Sequence, residues 1–201
     1  MKIDFYYNLF KRIAGEKSLL IGLTVIILTS LTGYYSGTHF PGVLSVKTCP
    51  EISIWYFLIQ GLLNWMVVSI VFFLAAILFS SSKVRLIDII GTQALARSPY
   101  LLAAFTGFPD SLDQLGKYLQ WTYMKIGDPI TLSTYDLIMA VILIILTLLL
   151  TVWLVALMFN ALKVSANLKG GRLTGVFIVS LVISIILGLV LNYLLIKNYL
   201  P

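Results

Sequence analysis

Asp88 and Arg97 are the residues on which any chemistry inside a membrane would have to rest. Both lie in the segment VRLIDIIGTQALARSPYLLAAFTGF, residues 84–108, which is otherwise largely apolar. A charge at bilayer depth costs about 2.5–3.5 kcal/mol on insertion scales, so such groups face a bundle interior and pair. An acid and a base held there could carry an ion, a proton or an anion. On a straight helix their nine-residue separation puts them about 180 degrees apart and about 13 Å apart in depth. They can meet only across a break, for which Gly91 and Pro99 are the candidates, or through another helix. Gln93, Pro99, Asn64 and Asn192 complete the candidate polar site, and Gln60 would join them along a transport pathway. The structural alternative, which weighs more, sets Asp88 at the cytoplasmic interface and leaves Arg97 to satisfy carbonyls at a kink or to snorkel.

Other reactive groups are few. His39 and Cys49 are the single histidine and the single cysteine, ten residues apart in one loop. One cysteine forms no intramolecular disulfide. A zinc site needs several His, Cys or carboxylate ligands in close array, so no metal and no cofactor is expected. There is no G-x-S-x-G, no H-E-x-x-H and no P-loop. The expectation is a protein that is not an enzyme.

The elements that must position these residues are membrane helices. The chain has 201 residues, 60% hydrophobic and 11% charged, against about 25% charged in soluble domains. Mean hydropathy is +1.00. That much apolar surface cannot be buried in a soluble chain of this size. This excludes a soluble enzyme, a disordered protein and a nucleic-acid-binding module. The net charge of +6 belongs instead to loops lying against anionic headgroups.

A spanning helix needs about 20 apolar residues. The pattern predicts an all-α, five-span bundle with spans at about 18–36, 54–80, 85–108, 136–160 and 173–196. The second is long enough to tilt or to kink near Gly61 and Asn64. The third is expected to be broken near Gly91 and Pro99, which disfavour a straight helix, and packed against the others, because broken helix at depth needs neighbouring protein to satisfy its backbone. A re-entrant or interfacial pair of short helices is the alternative. With the N-terminus inside, Lys2, Lys11, Arg12, Lys17, Lys83, Arg85, Lys163, Lys169 and Arg172 are cytoplasmic. Lys47, Lys117, Lys125 and Lys197 are outside. Nine against four favours five spans over four.

Two amphipathic stretches, about 4–14 and 111–126, read as interfacial helices. In the second, Leu112, Leu115, Leu119 and Ile126 share a face, and Asp110 or Ser111 can cap it. The last span carries Ser180, Ser184, Gly188 and Asn192 at four-residue spacing. In lipid, such a stripe is a packing seam. Matching small residues are Ala140, Thr147 and Thr151 in the fourth span, and Gly22, Thr29 and Gly33 in the first. Gly171 and Gly175 read as turn chemistry at a membrane boundary.

The five-span order, the segment IDIIGTQALARSPYLLAAF (87–105) and the connection FNALKVSANLKGGR (159–172) resemble the Yip1-domain family of integral membrane proteins, in particular its compact prokaryotic branch. The resemblance covers roughly residues 18–196 in architecture. It implies a non-enzymatic membrane scaffold or organiser that acts through lipid, bilayer shape, a membrane-protein partner or a homo-oligomer. Eukaryotic members are associated with Rab-type GTPases and vesicle traffic through a much longer cytoplasmic N-terminal region, so a GTPase role is not expected here. The expected location is a bacterial inner membrane. A small transporter or channel built around Asp88 and Arg97 is the competing expectation.

Overall fold

A computed structural model describes residues 10, 13, 15–48 and 52–197. The expected interfacial helix over 4–14 lies outside the described residues except for Phe10 and Ile13, and Cys49 lies outside them too. Among the described residues, four helices are long and apolar enough to cross a membrane. They are α1 (Gly15–Ser36), α2 (Ile54–Phe79), α6 (Thr134–Ser165) and α7 (Gly170–Lys197). Between α2 and α6 lie the shorter α3 (Leu86–Leu95), α4 (Ser98–Ala104) and α5 (Ser111–Leu119). This is the architecture of a multi-pass membrane protein.

Local chemistry sets the helix ends. Gly37, at φ +66°, closes α1 in the left-handed conformation that glycine adopts without penalty. At the start of α6 the Ser133 hydroxyl accepts the Asp136 backbone N–H at 3.0 Å. Helix α2 runs unbroken through Gly61 and Asn64. Neither residue interrupts the helix, and both serve packing and bonding.

The break in the third segment falls at Ala96–Arg97. Pro99 sits in the first turn of α4, where its missing N–H costs no helical bond. Arg97 takes φ −79° and ψ 0°, and its N–H turns to the Ala94 carbonyl. Gly91 is no break but a point of close approach. A Cβ there would lie 2.7 Å from the Gly15 carbonyl oxygen.

The same kind of contact recurs along α1. A Cβ on Gly22 would lie 2.5 Å from the Ala94 Cβ and from the Leu95 nitrogen. Higher up, the Ser36 hydroxyl donates to the Ala104 carbonyl at 2.6 Å. Above that, Gly107 abuts Ser36 and Thr38. Contacts advance along both chains in the same sense, so α3 and α4 run parallel to α1 from one end to the other. Helix α6 runs back against them: Ser165 meets Asp88 and Thr92, and the Gln93 amide donates to the Met158 carbonyl at 3.2 Å.

The bundle therefore has two ends. One, the basic end, carries Gly15, Ser80, Leu86, Ser165 and Gly170, where the Ser80 hydroxyl ties to the Ala166 carbonyl. The other is the hairpin end. There β1 (Thr38–His39) pairs antiparallel with β2 (Lys47–Thr48), a short ribbon within an otherwise helical chain.

Helix α5 is amphipathic and lies on α6. It is shorter than the stretch predicted, because a π-helical turn (Gln120–Met124) and a left-handed Lys125 follow it. Ile126 is therefore exposed and does not share the leucine face. Asp110 makes no side-chain cap; the Ser111 hydroxyl bonds Asp136 instead, at 3.1 Å. Gly171 and Gly175 are helical, within the first turns of α7, and both face open space. The turn residue is Gly170, at φ +59°.

Parallel packing of α1 on α3 makes one substitution decisive. Gly22→Ala should lower the melting temperature by the equivalent of about 1–3 kcal/mol, because the new methyl meets backbone. Gly175→Ala, made into open space, should stay within about 0.5 kcal/mol of wild type. Equal melting of the two variants would show that α1 and α3 do not touch at Gly22.

Candidate functional site

The segment between β1 and β2 is not a surface loop. Its tip inserts among α2, α4 and α7, with Val43 1% exposed and Phe40 8%. The Phe40 ring stacks on Tyr100 with centroids 4.7 Å apart. Gly42 lies against Leu189 and Val43 against Gly188. Non-helical backbone at this depth needs donors and acceptors from protein, and polar side chains supply them.

Gln60 and Asn64, one turn apart on α2, hold the two sides of Phe40. The Phe40 N–H donates to Gln60 Oε1 at 2.9 Å. Its carbonyl accepts from Asn64 Nδ2 and from the Gly42 N–H, each at 2.7 Å. The Val43 carbonyl accepts from the Tyr100 hydroxyl at 3.2 Å. Asn64 is tied in turn from two sides. Arg97 donates to its backbone carbonyl at 2.7 Å, and Asn192 Nδ2 donates to its Oδ1 at 2.8 Å. The guanidinium is thus directed at a helical carbonyl, and the break at Ala96–Arg97 aims it there.

Nearer the hairpin end, Gln60 Nε2 donates to the Tyr56 hydroxyl at 2.7 Å, and His39 Nδ1 lies 3.1 Å from that oxygen. Burial, reinforced by the charge of Lys47, pushes the His39 pKa down to about 4. The ring is neutral at physiological pH. A cavity of about 20 Å³ beside Arg97, Asn64 and Ser30 has the size of one water molecule.

The structure therefore brings Arg97, Asn64 and Asn192 together. Pro99 lies two residues past Arg97, in the first turn of α4. Gln93 lies one turn nearer the basic end and faces α6, with its Oε1 buried and unpartnered. Asp88 is elsewhere. It sits at the basic end, one-quarter exposed, with its carboxylate 3.9 Å from Arg85 Nε. Asp88 and Arg97 do not pair. The seam residues Ser180, Ser184 and Gly188 are buried, as is Asn192, and α7 packs chiefly on α2. Among the described residues no cluster of His, Cys, Asp or Glu could hold a metal ion.

What sequence reasoning missed is the inserted tip, and with it the role of Tyr56 and Tyr100. The signal was present: Phe40-Pro-Gly-Val-Leu is an uncharged, apolar run with a turn dipeptide inside it. The chain matches no family model, no curated protein and no solved structure.

Two outcomes follow from this network. Asn64→Ala should destabilise the fold by about 1–3 kcal/mol, since it removes the buried bonds to Asn192 and to the Phe40 carbonyl. It should also speed thiol labelling of a cysteine placed at Val43; slow labelling in a destabilised variant would detach Asn64 from the tip. The second outcome concerns pH. The unfolded chain protonates His39 near 6.5 and the folded chain only near 4, so the neutral ring's contribution is complete above 6.5 and is lost as pH falls toward 4. His39→Gln should flatten the melting-temperature profile over that interval.

Proposed function

We propose that this chain is a non-enzymatic membrane organiser of Yip1-like type, with five crossings and a cytoplasmic N-terminus, working through lipid and membrane-protein contacts. A bacterial inner membrane is its proposed location. The observation that carries the five-crossing reading is the course of α3 and α4. They accompany α1 from Gly15 to Thr38, and that shared course supports a fifth crossing beside α1.

The charges support the orientation. Lys17, Lys83, Arg85, Lys163, Lys169 and Arg172 gather at the basic end, and Lys47, Lys117, Lys125 and Lys197 at the other. The larger set belongs on the cytoplasmic side.

The organiser reading is favoured over a transporter by what Arg97 does. Its guanidinium holds the Asn64 carbonyl within a bonded interior, and the acid that would partner it in transport lies at the basic end. An arginine that binds backbone is a structural element of the bundle.

Epitope tags on the two termini, probed in sealed inner-membrane vesicles, test the topology. The tags should be accessible from opposite faces; accessibility from the same face would overturn five crossings. Proteoliposomes test the role. Ion and proton flux should be indistinguishable from protein-free vesicles, and an Arg97-dependent flux would replace the organiser with a channel.

A further inference from the structure

A second feature of the fold lies outside the Arg97 network. A cavity of about 940 Å³ opens between the hairpin, α5 and α6. This is within the range of sites that hold small amphiphilic ligands. Its walls are apolar: Val46 from the hairpin, Leu112, Leu115 and Leu119 from α5, and Ile144 and Leu148 from α6. The leucine face of α5 is thus turned toward this space, and α5 roofs it.

The cavity has direction. Thr151 and Val152 at its inner end lie about 26 Å along α6 from the hairpin-end terminus, at 1.5 Å per residue. Both residues lie inside the uncharged apolar run of α6, the part that a bilayer's hydrocarbon would surround. The cavity's outer end is polar, with Ser45, Lys47 and Thr48. Lys47 is exposed, and among the described residues no carboxylate forms an ion pair with it. Thr38, also in the wall, is 2% exposed, and its hydroxyl is buried without a hydrogen-bond partner. An apolar slot of bilayer depth with a cation at the headgroup level matches one kind of occupant.

We propose that this cavity holds an acyl chain of an anionic membrane phospholipid, with the headgroup phosphate at Lys47. The proposal rests on the membrane placement of the chain and not on the organiser role. A zwitterionic lipid would fill the same slot and bring its own phosphate to Lys47, but its quaternary ammonium offsets that attraction. A net anionic headgroup keeps the full electrostatic gain near a lysine.

Gly116 offers a clean test. It lines the cavity, and a Cβ there meets nothing within 4 Å. Gly116→Trp should fill the space without disturbing α5. Full-length protein, purified in detergent and titrated with phosphatidylglycerol or phosphatidylcholine, is read by native mass spectrometry. Wild type should retain one phosphatidylglycerol about fivefold more tightly than phosphatidylcholine. Lys47→Gln should bring that ratio to about one. Gly116→Trp should lose both lipids while melting as wild type does in lipid-free micelles. Leu148→Trp, on the facing wall, takes its place if Gly116→Trp does not fold. Arg172→Gln, at the basic end, should leave the preference intact.

A folded tryptophan variant that still retains one phosphatidylglycerol would overturn the cavity assignment. So would equal retention of the two lipids by wild type, or a preference that survives Lys47→Gln. Failure of the protein to enter lipid nanodiscs would instead refute the membrane placement, which separates the two ideas.

Discussion

Inside a bilayer a carbonyl that leaves regular structure must still find a donor, because no water is there to provide one. The Phe40 carbonyl meets this requirement with Asn64, and much of the hairpin half of the bundle is arranged around that fact. Asn64 reaches Phe40 from α2, which packs closely on α1 at Gly61, where a Cβ would come 2.8 Å from the Ser30 hydroxyl. Asn64 is held from behind by Arg97 on the α3–α4 break and from the side by Asn192 on α7. The Asn64 side-chain amide thus ties the tip and α7 to α2, and its backbone carbonyl takes the α3–α4 break. Each neutral hydrogen bond contributes only about 1 kcal/mol, but the cost of leaving any of these groups unmade is larger.

Small residues perform the complementary task of bringing backbones close. Gly22 and Gly91 let α1 and α3 approach until backbone meets backbone, the condition under which dispersion contacts replace the hydrophobic drive that lipid does not offer. Gly188 does the same for α7 against Val43. These glycines are therefore not markers of flexibility. Gly116, Gly171 and Gly175 face open space, so glycine content alone does not reveal which positions are in contact.

Much of the helical framework was legible in the sequence. Uncharged stretches of about 20 residues force helices in lipid, and Pro99 marked a break to within three residues of Ala96–Arg97. The stripe Ser180, Ser184, Gly188 and Asn192 was readable as one face by periodicity alone. The partner of that face was not, because helical periodicity carries no information on which helix lies opposite. Asp88 and Arg97 drew attention by charge, yet charge says nothing of aim. Arg97 turned out to point at a carbonyl and Asp88 at Arg85. The inserted tip escaped because hydropathy windows are tuned to 20-residue helices, and a run as short as Phe40–Leu44 falls below them.

Helices α6 and α7 are consecutive, yet they touch only sparingly, and α7 docks on α2 instead. The bond between Asn192 and Asn64 joins residues 128 positions apart. On a ribosome, the amide that secures the first loop therefore waits for the last helix to be synthesised. Until then Gly188 does not cover Val43, and the Asn64 side chain lacks its lateral donor. A nascent chain halted before α7 carries an incompletely bonded polar interior in lipid, however well its earlier helices have inserted. Insertion of α7 and completion of the hydrogen-bonded core are the same event in this fold.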